Sequence, residues 1–155
     1  MNPEIKNRFT GETIIPAGKY ESLKEAVENS RSDLSRSDLS GSDLSRSYLS
    51  RSDLSRSDLS GSDLSRSNLS GSNLSRSNLS GSNLSGSNLD YSVWPLWCGS
   101  FDVITDDKIK IQLLYHVARI KGNIEDADLK NLIDSKLFKK VCNKFHRVDE
   151  CGEIK

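Results

Sequence analysis

The sequence predicts a mainly β fold in which the chain winds into a square solenoid, because one internal repeat dominates it. From Ser32 to Tyr91 the chain reads Ser-(Asp/Asn)-Leu-Ser-(Arg/Gly), with few departures, in twelve quintets that share one phase. A strand returns to the same face every two residues and a helix every 3.6, so a period of five fits neither element. A corner after each quintet points every leucine to one axis. Four sides then close one coil, and twelve quintets make about three coils.

The predicted core of this solenoid is its leucine column. Burying each leucine contributes roughly 1.5–3 kcal/mol, and hydrogen bonds between coils must add to that. A flexible Ser-rich linker is the alternative, since Ser/Gly tracts are commonly disordered. A linker has no reason to keep leucine in phase through twelve quintets, which favours the ordered solenoid. The core ladder consists of Leu34, Leu39, Leu44, Leu49, Leu54, Leu59, Leu64, Leu69, Leu74, Leu79, Leu84 and Leu89.

The quintet itself resembles the unit of a known family. Ser32-Asp33-Leu34-Ser35-Arg36 matches the pattern of pentapeptide-repeat proteins: a small residue, Asp or Asn, Leu or Phe, then two variable positions. The resemblance implies a right-handed quadrilateral β-helix with the leucine and the small residue inside. The family often places Ala or Cys at the small position, whereas this chain has Ser throughout. Buried hydroxyls need hydrogen-bond partners, so these serines must bond to the backbone or to one another.

Residues 1–31 are predicted to form an N-terminal cap, a hairpin followed by a helix, on the first coil. Gly11 separates two short strand-like runs. Ser22 is followed three residues later by Glu25, which is a capping-box pattern, and the helix continues through Asn29. Open coil ends expose unpaired strand edges, so solenoids require covers of this kind.

The repeat domain is predicted to span residues 32–96 and to end where Pro95 removes a donor from the ladder. Trp94 stands in the leucine phase, and the larger side chain suits a plug on the last coil. Trp97 and Phe101 add apolar surface, and we expect them to seal that end of the coil. An aromatic ligand pocket is the alternative interpretation of this cluster.

Residues 97–155 are predicted to form a C-terminal helical segment that covers the coil end and joins subunits. The expected elements are helices over residues 107–121, 126–133 and 135–145, a stop at Gly122, and a loose tail over residues 150–155. The first helix is too apolar on both faces for an isolated surface helix, so we expect a homo-oligomer. Its stripe comprises Ile109, Leu113, Val117 and Ile120, widened by Ile111, Leu114 and Ala118.

One candidate interface is the second side of the coil, formed by residues 37–41, 57–61 and 77–81. This side has glycine at every corner and carries no arginine. Glycine either adopts a positive φ at the corner or lets another backbone approach closely. Elsewhere Asp precedes leucine in the early coils, Asn replaces it later, and arginine corners balance the charge. The second side is therefore a candidate packing surface between subunits, and a solvated wall is the alternative.

The fourth side, formed by residues 47–51, 67–71 and 87–91, is the rival interface because it carries two tyrosines. Aromatic residues are otherwise scarce in the repeat. Together with the first C-terminal helix, the two sides supply the candidate contacts. The candidate interface residues are Gly41, Gly61, Gly81, Tyr48, Tyr91, Ile109, Leu113, Leu114, Val117 and Ile120.

Charge and composition exclude several classes of partner. The chain has 22 basic and 22 acidic residues, and no basic patch stands out. Because phosphate neutralisation dominates nucleic-acid affinity, we expect no nucleic-acid partner. No leader and no long apolar run is present, so neither export by that route nor membrane contact is expected. Three cysteines without dense spacing fit a reducing cytoplasm.

Catalytic motifs are missing from the sequence. The repeat serines have no fixed histidine partner, and nucleophilic catalysis needs an adjacent base. Cys142 and His146 have the i, i+4 spacing of a zinc pair, with Cys98, Cys151 and His116 elsewhere in the chain. No Cys-x-x-Cys accompanies them. We therefore expect no enzyme, no catalytic residue, no cofactor and no metal.

The expected function is a non-enzymatic structural or protein-interaction module that acts on an unidentified protein partner. The element order resembles pentapeptide-repeat proteins of bacteria and phages. One alternative is a DNA mimic that binds or inhibits a topoisomerase, as the quinolone-resistance relatives do. Three coils give a rod of only about 15 Å, and arginine columns interrupt the negative field that mimicry requires. A passive spacer or virion-associated module is a further alternative.

Overall fold

The computed structural model describes residues 3–120 and 123–155. Contacts divide the chain into two compact units, Met1–Thr105 and Asp106–Lys155. The predicted cap begins, at Met1 and Asn2, outside the described residues. The predicted helix end at Lys121 and the predicted stop at Gly122 also lie outside them.

The repeat folds as a β-helix in which residues 20 positions apart pair as parallel bridges. Asp38 pairs with Asp58, and Asp58 pairs in turn with Asn78. The Leu39 amide donates to the Asp58 carbonyl at 2.8 Å, and the Asp58 amide donates to the Ser37 carbonyl at 2.8 Å. These bonds recur along the repeat as isolated bridges, because each side turns a corner before a longer strand can form. The period of the bridges matches four quintets.

The leucine column lies inside the coil. All twelve repeat leucines are buried, and the largest exposed fraction is 6%, at Leu89. Most serines at the first position of a quintet donate a hydroxyl hydrogen bond to the carbonyl of the leucine three residues earlier, as Ser62 does to Leu59 at 2.6 Å. Ser32 is exposed, because a short 3₁₀ turn over Arg31–Asp33 starts the first quintet.

Each corner is built in the left-handed region of backbone space. The fifth residue of every quintet has a positive φ, between 58° and 62° for arginine and tyrosine and between 64° and 74° for glycine. The Asp or Asn side chain stabilises the corner by accepting the amide hydrogen bond of the residue two positions later, as Asp58 Oδ1 does from Ser60 at 3.0 Å. A left-handed conformation is unfavourable by roughly 1–2 kcal/mol for a residue with a Cβ. Glycine relieves this strain, and arginine tolerates it at six corners.

A hairpin and a helix precede the repeat. Strand β1 (Ile5–Lys6) pairs antiparallel with β2 (Thr13–Ile15), and helix α1 (Leu23–Asn29) follows. The predicted N-cap is present, since the Ser22 hydroxyl accepts the Glu25 amide hydrogen bond at 3.1 Å. The Lys6 carbonyl accepts a bond from the Asp38 amide at 2.8 Å, so the hairpin satisfies backbone groups of the first coil.

The segment after the repeat pairs with its last quintets with a shift of one residue. The Leu74 amide donates to the Val93 carbonyl, 19 residues later, which is the spacing found throughout the repeat. The Gly81 amide instead donates to the Phe101 carbonyl, 20 residues later. Pro95 and a 3₁₀ turn over Cys98–Ser100 lie between the two registers. The expected apolar seal is only partly formed. Trp97 donates its indole N–H to the Ser77 carbonyl at 2.8 Å, but it is 44% exposed and Phe101 is 64% exposed.

The second unit contains four helices within the described residues: α2 (Asp107–Arg119), α3 (Ala127–Asp134), α4 (Lys136–Cys142) and α5 (Val148–Cys151). Side chains of Asp106, Asp126 and Ser135 cap the first three by accepting backbone amide hydrogen bonds. Helix α4 ends three residues before the predicted end at Phe145, because Asn143 serves as its C-cap. The core of this unit comprises Tyr115, Phe138, Cys142 and Phe145.

The C-terminal tail is bound to this core, so the prediction of a loose tail is wrong. The Asn143 side-chain amide exchanges two hydrogen bonds with the backbone of Ile154, at 2.8 and 3.1 Å. The Tyr115 hydroxyl donates to the Gly152 carbonyl at 2.6 Å. The side chains of Tyr115 in α2 and of Asn143, the C-cap of α4, therefore hold the residues that follow α5 in place.

Candidate interaction surfaces

The outer wall of the coil carries a hydrogen-bonded ladder of Asp and Asn. On the second side, the Asn78 side-chain amide donates to Asp58 Oδ1 at 3.2 Å. The same bond joins Asn73 to Asp53 at 3.4 Å and Asn83 to Asp63 at 3.3 Å. Stacked carboxylates about 4.8 Å apart repel one another. The change from Asp to Asn along the chain replaces that repulsion with a hydrogen bond.

The glycine column of the second side lies open at the surface. A Cβ built on Gly41, Gly61 or Gly81 would meet no heavy atom within 4 Å, so no backbone among residues 3–120 and 123–155 packs against the column. Positive φ occurs at every corner, which means that φ alone does not explain why this side has only glycine. These three glycines therefore form a smooth, exposed strip.

Arg8 of the hairpin loop reaches across this same side. Its guanidinium lies 3.1 Å from Asp58 Oδ2 and donates to the Ser57 carbonyl at 2.9 Å. Burial would raise the pKa of Asp58, but hydrogen bonds from Ser60, the Arg8 charge and the Asn78 amide together hold it below the ordinary value. Sequence reasoning missed Arg8, because no local pattern predicts a contact between residues 50 positions apart.

An arginine column lies at the corner between the first and second sides. Arg36, Arg56 and Arg76 line an open groove together with Asn7 and Phe9 of the hairpin loop. The groove is shallow, because each coil interior is filled by leucine. It offers positive charge without the enclosed volume that small-ligand sites require.

The two tyrosines of the fourth side project from the wall. Tyr48 is 67% exposed and Tyr91 is 76% exposed. The Tyr48 amide donates to Glu28 Oε1 of helix α1 at 2.8 Å, which anchors the first row of this side. In the row between the tyrosines, Gly71 leaves room for the aliphatic part of Arg51, whose Cγ would lie 3.4 Å from a Cβ at that position.

Helix α2 divides its apolar residues between the interior and the surface. Tyr115 lies in the core of the second unit, with Ile111 and Ala118 packed against that core. The sequence predicts that Ile111 and Ala118 only widen the apolar stripe of this helix, and it does not predict that Tyr115 lies in the core. From the candidate set, Ile109 is 2% exposed within the chain and cannot reach a second subunit, which corrects that assignment. The members that remain exposed are Leu113, Leu114, Val117 and Ile120.

The candidate zinc spacing, Cys142 and His146, is not joined by a third ligand within the described residues. Cys142 is buried in the apolar core, and burial raises the pKa of its thiol. Cys98 and Cys151 are exposed, and all three cysteines are free. Over residues 3–120 and 123–155, no three His, Cys, Asp or Glu side chains converge as metal ligands. In the same residues, no helix has both the length and the apolar character needed to span a membrane.

Comparison with known proteins identifies the repeat. The family model for pentapeptide repeats matches residues 32–71 as 8 copies, which confirms the resemblance drawn from the quintets. Among curated proteins, none matches this chain.

Solved structures of pentapeptide repeat proteins are similar to parts of the chain. HetL, involved in heterocyst differentiation regulation in the cyanobacterium Nostoc sp. strain PCC 7120, is 24% identical over 43% of this chain and 38% of its own, with a TM-score of 0.27. Rfr23 from the cyanobacterium Cyanothece 51142 is 30% identical over 44% and 53%, with a TM-score of 0.20. QnrB1, a plasmid-mediated fluoroquinolone resistance protein, is 19% identical over 55% and 45%, with a TM-score of 0.21.

This chain therefore spans about two fifths of HetL and about half of Rfr23. Scores this low describe local likeness, and the assignment depends on the in-phase quintets and on the parallel bridges between residues 20 apart. Residues 32–71, which the family model matches and which fold as part of a β-helix, are therefore a run of pentapeptide repeats.

Proposed function

We propose that this chain is a non-enzymatic structural and protein-interaction module of the cytoplasm, which self-associates through its C-terminal helices. The observation that carries the proposal is the exposed apolar face of helix α2. Leu113, Leu114 and Val117 lie within about 100° of one another around the helix axis. All three remain more than a third exposed in the complete chain. A contiguous apolar face of this kind is a common mark of a protein contact.

The same proposal assigns a role to each part of the chain. Residues 1–31 cap the first coil, since the hairpin and α1 accept its backbone hydrogen bonds at Asp38 and Tyr48. Residues 32–96 form the right-handed solenoid of three coils. Residues 97–155 supply the contact between subunits.

The filled interior supports a role without catalysis. Leucine occupies the axis of every coil, and the surface grooves are open to solvent. An enzyme needs an enclosed site with convergent polar groups. Free thiols at Cys98, Cys142 and Cys151 are consistent with a reducing compartment.

Light scattering on the full chain tests self-association through α2. The wild type is expected to have twice the mass of one chain, or a higher multiple, at tens of micromolar. The double variant Leu113→Lys/Val117→Lys places two charges on the apolar face and should yield the monomer mass. Lys108→Glu changes a charge on another face of the same helix and should leave the mass unchanged. A monomeric wild type at that concentration would exclude this contact.

The charge pattern argues against the alternative of duplex mimicry. In the last quintets Asn73, Asn78 and Asn83 replace the Asp found 20 residues earlier, and their side-chain amides donate to those carboxylates. Each acidic column therefore contains only two Asp. Arg8 further neutralises Asp58. A continuous negative field is what a nucleic-acid mimic needs. Potent inhibition in a gyrase supercoiling assay would restore this alternative.

A further inference from the structure

Three outward residues depart from the quintet pattern, and all three lie on the fourth side. Tyr48 is the one residue before leucine that is neither Asp nor Asn. Asp90 is the one fourth-position residue that is not Ser, and Tyr91 is the one corner that is neither Arg nor Gly. The other three sides keep the pattern in every row. The departures therefore mark this side as different from the rest of the solenoid.

The departures lie in the first and third rows of the fourth side, and the middle row between them keeps the quintet pattern. Tyr48 belongs to the first row, and Asp90 and Tyr91 belong to the third, about 10 Å higher at two strand spacings. The middle row presents Asn68 and Gly71, and the aliphatic part of Arg51 lies over Gly71 between the two raised aromatic rings. Both tyrosines are more than two thirds exposed in the complete chain.

Charge also differs between the two ends of this side. The first row carries Arg51, the middle row carries no charge, and the third row carries Asp90. Glu28 and Arg31 line a groove next to Arg51, and their charges cancel. The side is therefore positive at its lower end and negative at its upper end.

We infer that the fourth side binds the fourth side of a second copy of this chain, with the two solenoid axes antiparallel. A two-fold axis in the contact plane, running across the middle row, sets the first row of one copy against the third row of the other. Arg51 then meets the partner's Asp90 and the ring of the partner's Tyr91, while Tyr48 lies over the partner's Asn88. Both an ion pair and a cation–π contact become available at each end.

The charges select the antiparallel arrangement over the parallel one. Parallel axes would set each row against the same row of the partner with the strand direction reversed. Arg51 would then approach the partner's Arg46 at the opposite corner, and Asp90 would lie over the partner's Asn88 without an ion pair. The antiparallel arrangement opposes unlike charges at both ends. Like charges placed face to face are a common source of discrimination against a wrong arrangement.

The contact is small, so we expect weak pairing. A side of three rows is about 15 Å tall, and the area it buries is below that of standard stable interfaces. The pair should therefore form at high concentration, or where the α2 contact already holds chains together. This inference adds a second surface to the proposed function and does not require the α2 contact.

Disulfide trapping tests the contact in the full chain. In a Cys98→Ser/Cys151→Ser background, Asn68→Cys places one thiol next to the two-fold axis, where it faces its own copy. A covalent dimer should form under mild oxidation. It should decrease at least fivefold when Tyr48→Asn and Tyr91→Gly restore the quintet pattern. Asp63→Cys, at the same row and position of the third side, is the control and should form little dimer.

A charge exchange tests the antiparallel register separately. Arg51→Asp alone and Asp90→Arg alone should each suppress the Asn68→Cys dimer, since each sets like charges together at both ends. An equimolar mixture of the two variants should restore it, because in the mixed dimer residue 51 of each copy then meets an unlike charge at residue 90 of the other, at both ends. Equal trapping at Asn68→Cys and Asp63→Cys, or no recovery in the mixture, would overturn the inference. A light-scattering dimer together with equal trapping at the two cysteine positions would keep the α2 contact and reject only this one.

Discussion

The repeat and the C-terminal helical unit use apolar residues in opposite ways. In the repeat every leucine lies on the axis, and the largest exposed fraction is 6%. In the helical unit Leu113, Leu129, Leu132 and Leu137 are all more than a third exposed, and the core comprises mainly Tyr115, Phe138 and Phe145. The repeat therefore uses its apolar side chains for its own stability. The helical unit has apolar surface left over for contacts with other molecules.

The largest expected effect comes from a central leucine. Leu64→Ala removes a fully buried side chain and leaves a cavity between the coils. We expect the free energy of unfolding to fall by about 3 kcal/mol. Leu96→Ala, in the same unit but 92% exposed, and Leu137→Ala in the helical unit, 72% exposed, should each change it by less than about 0.5 kcal/mol. Urea unfolding followed by circular dichroism measures all three, and similar losses would contradict the comparison.

The second prediction concerns the strained corners. Gly61 has a φ of 64° and open space around its Cα, so Gly61→Ala should destabilise the repeat by about 1 kcal/mol through backbone strain alone. Arg56 has a φ of 59°, and Arg56→Gly should be neutral or stabilising because strain relief opposes the added freedom of the unfolded chain. Thermal unfolding of both variants checks the sign. A stabilising Gly61→Ala would show that the corners are unstrained.

The third prediction separates two kinds of buried serine. The Ser62 hydroxyl donates to the Leu59 carbonyl at 2.6 Å, so Ser62→Ala should cost about 1 kcal/mol. The Ser67 hydroxyl is buried and has no partner within the described residues, so Ser67→Ala should be neutral or stabilising. The two positions are one quintet apart, which makes each the control for the other. Equal losses in chemical denaturation would mean that Ser67 also has a partner.

The smallest expected effect is a pH dependence at Asp58. Its pKa is lowered in the folded state by Ser60, Arg8 and Asn78 against the opposing effect of burial. Because the pKa of Asp58 is lower in the folded state, its ionised carboxylate stabilises the fold at pH values above 3.8, the pKa in the unfolded chain. This stabilisation is lost as the pH falls below 3.8 and through the pKa of the folded state. The stability of Asp58→Asn should therefore approach that of the wild type below about pH 3.8. In an Arg8→Leu background, which removes the guanidinium beside Asp58, the same substitution should show a smaller change with pH. No difference between the two backgrounds would contradict the Arg8 contribution.

The β-helix could be predicted from the sequence because leucine recurs at every fifth position, and this spacing determines which residues of each quintet face the axis and which face outward. Leucine spacing alone places Leu64 on the axis, whatever its neighbours are. The left-handed corners at arginine could not be predicted, since Arg56 has no intrinsic preference for positive φ. The Asx turn of the preceding Asp imposes that conformation.

The helical unit was harder to predict because its contacts are distant in the sequence. Helix α2 has apolar residues on most of its circumference, so periodicity could not decide whether Ile109 or Tyr115 faces the core. Both are buried in the structure. The bond between Asn143 and Ile154 orders the tail, and no local pattern announces it. The candidate surfaces could also be predicted only in part. The sequence shows that Tyr48 departs from the quintet pattern, but only the structure shows the exposed fraction of its side chain.

Nuclear Overhauser contacts along the repeat test the central claim most directly. The claim is that each coil advances by 20 residues and stacks on the one before it. We expect backbone contacts between Asp38 and Asp58, between Asp58 and Asn78, and between Tyr48 and Asn68, with slow amide exchange at the buried leucines. Contacts confined to residues three or four apart, or a repeat without long-range contacts, would contradict the β-helix and every surface described on it.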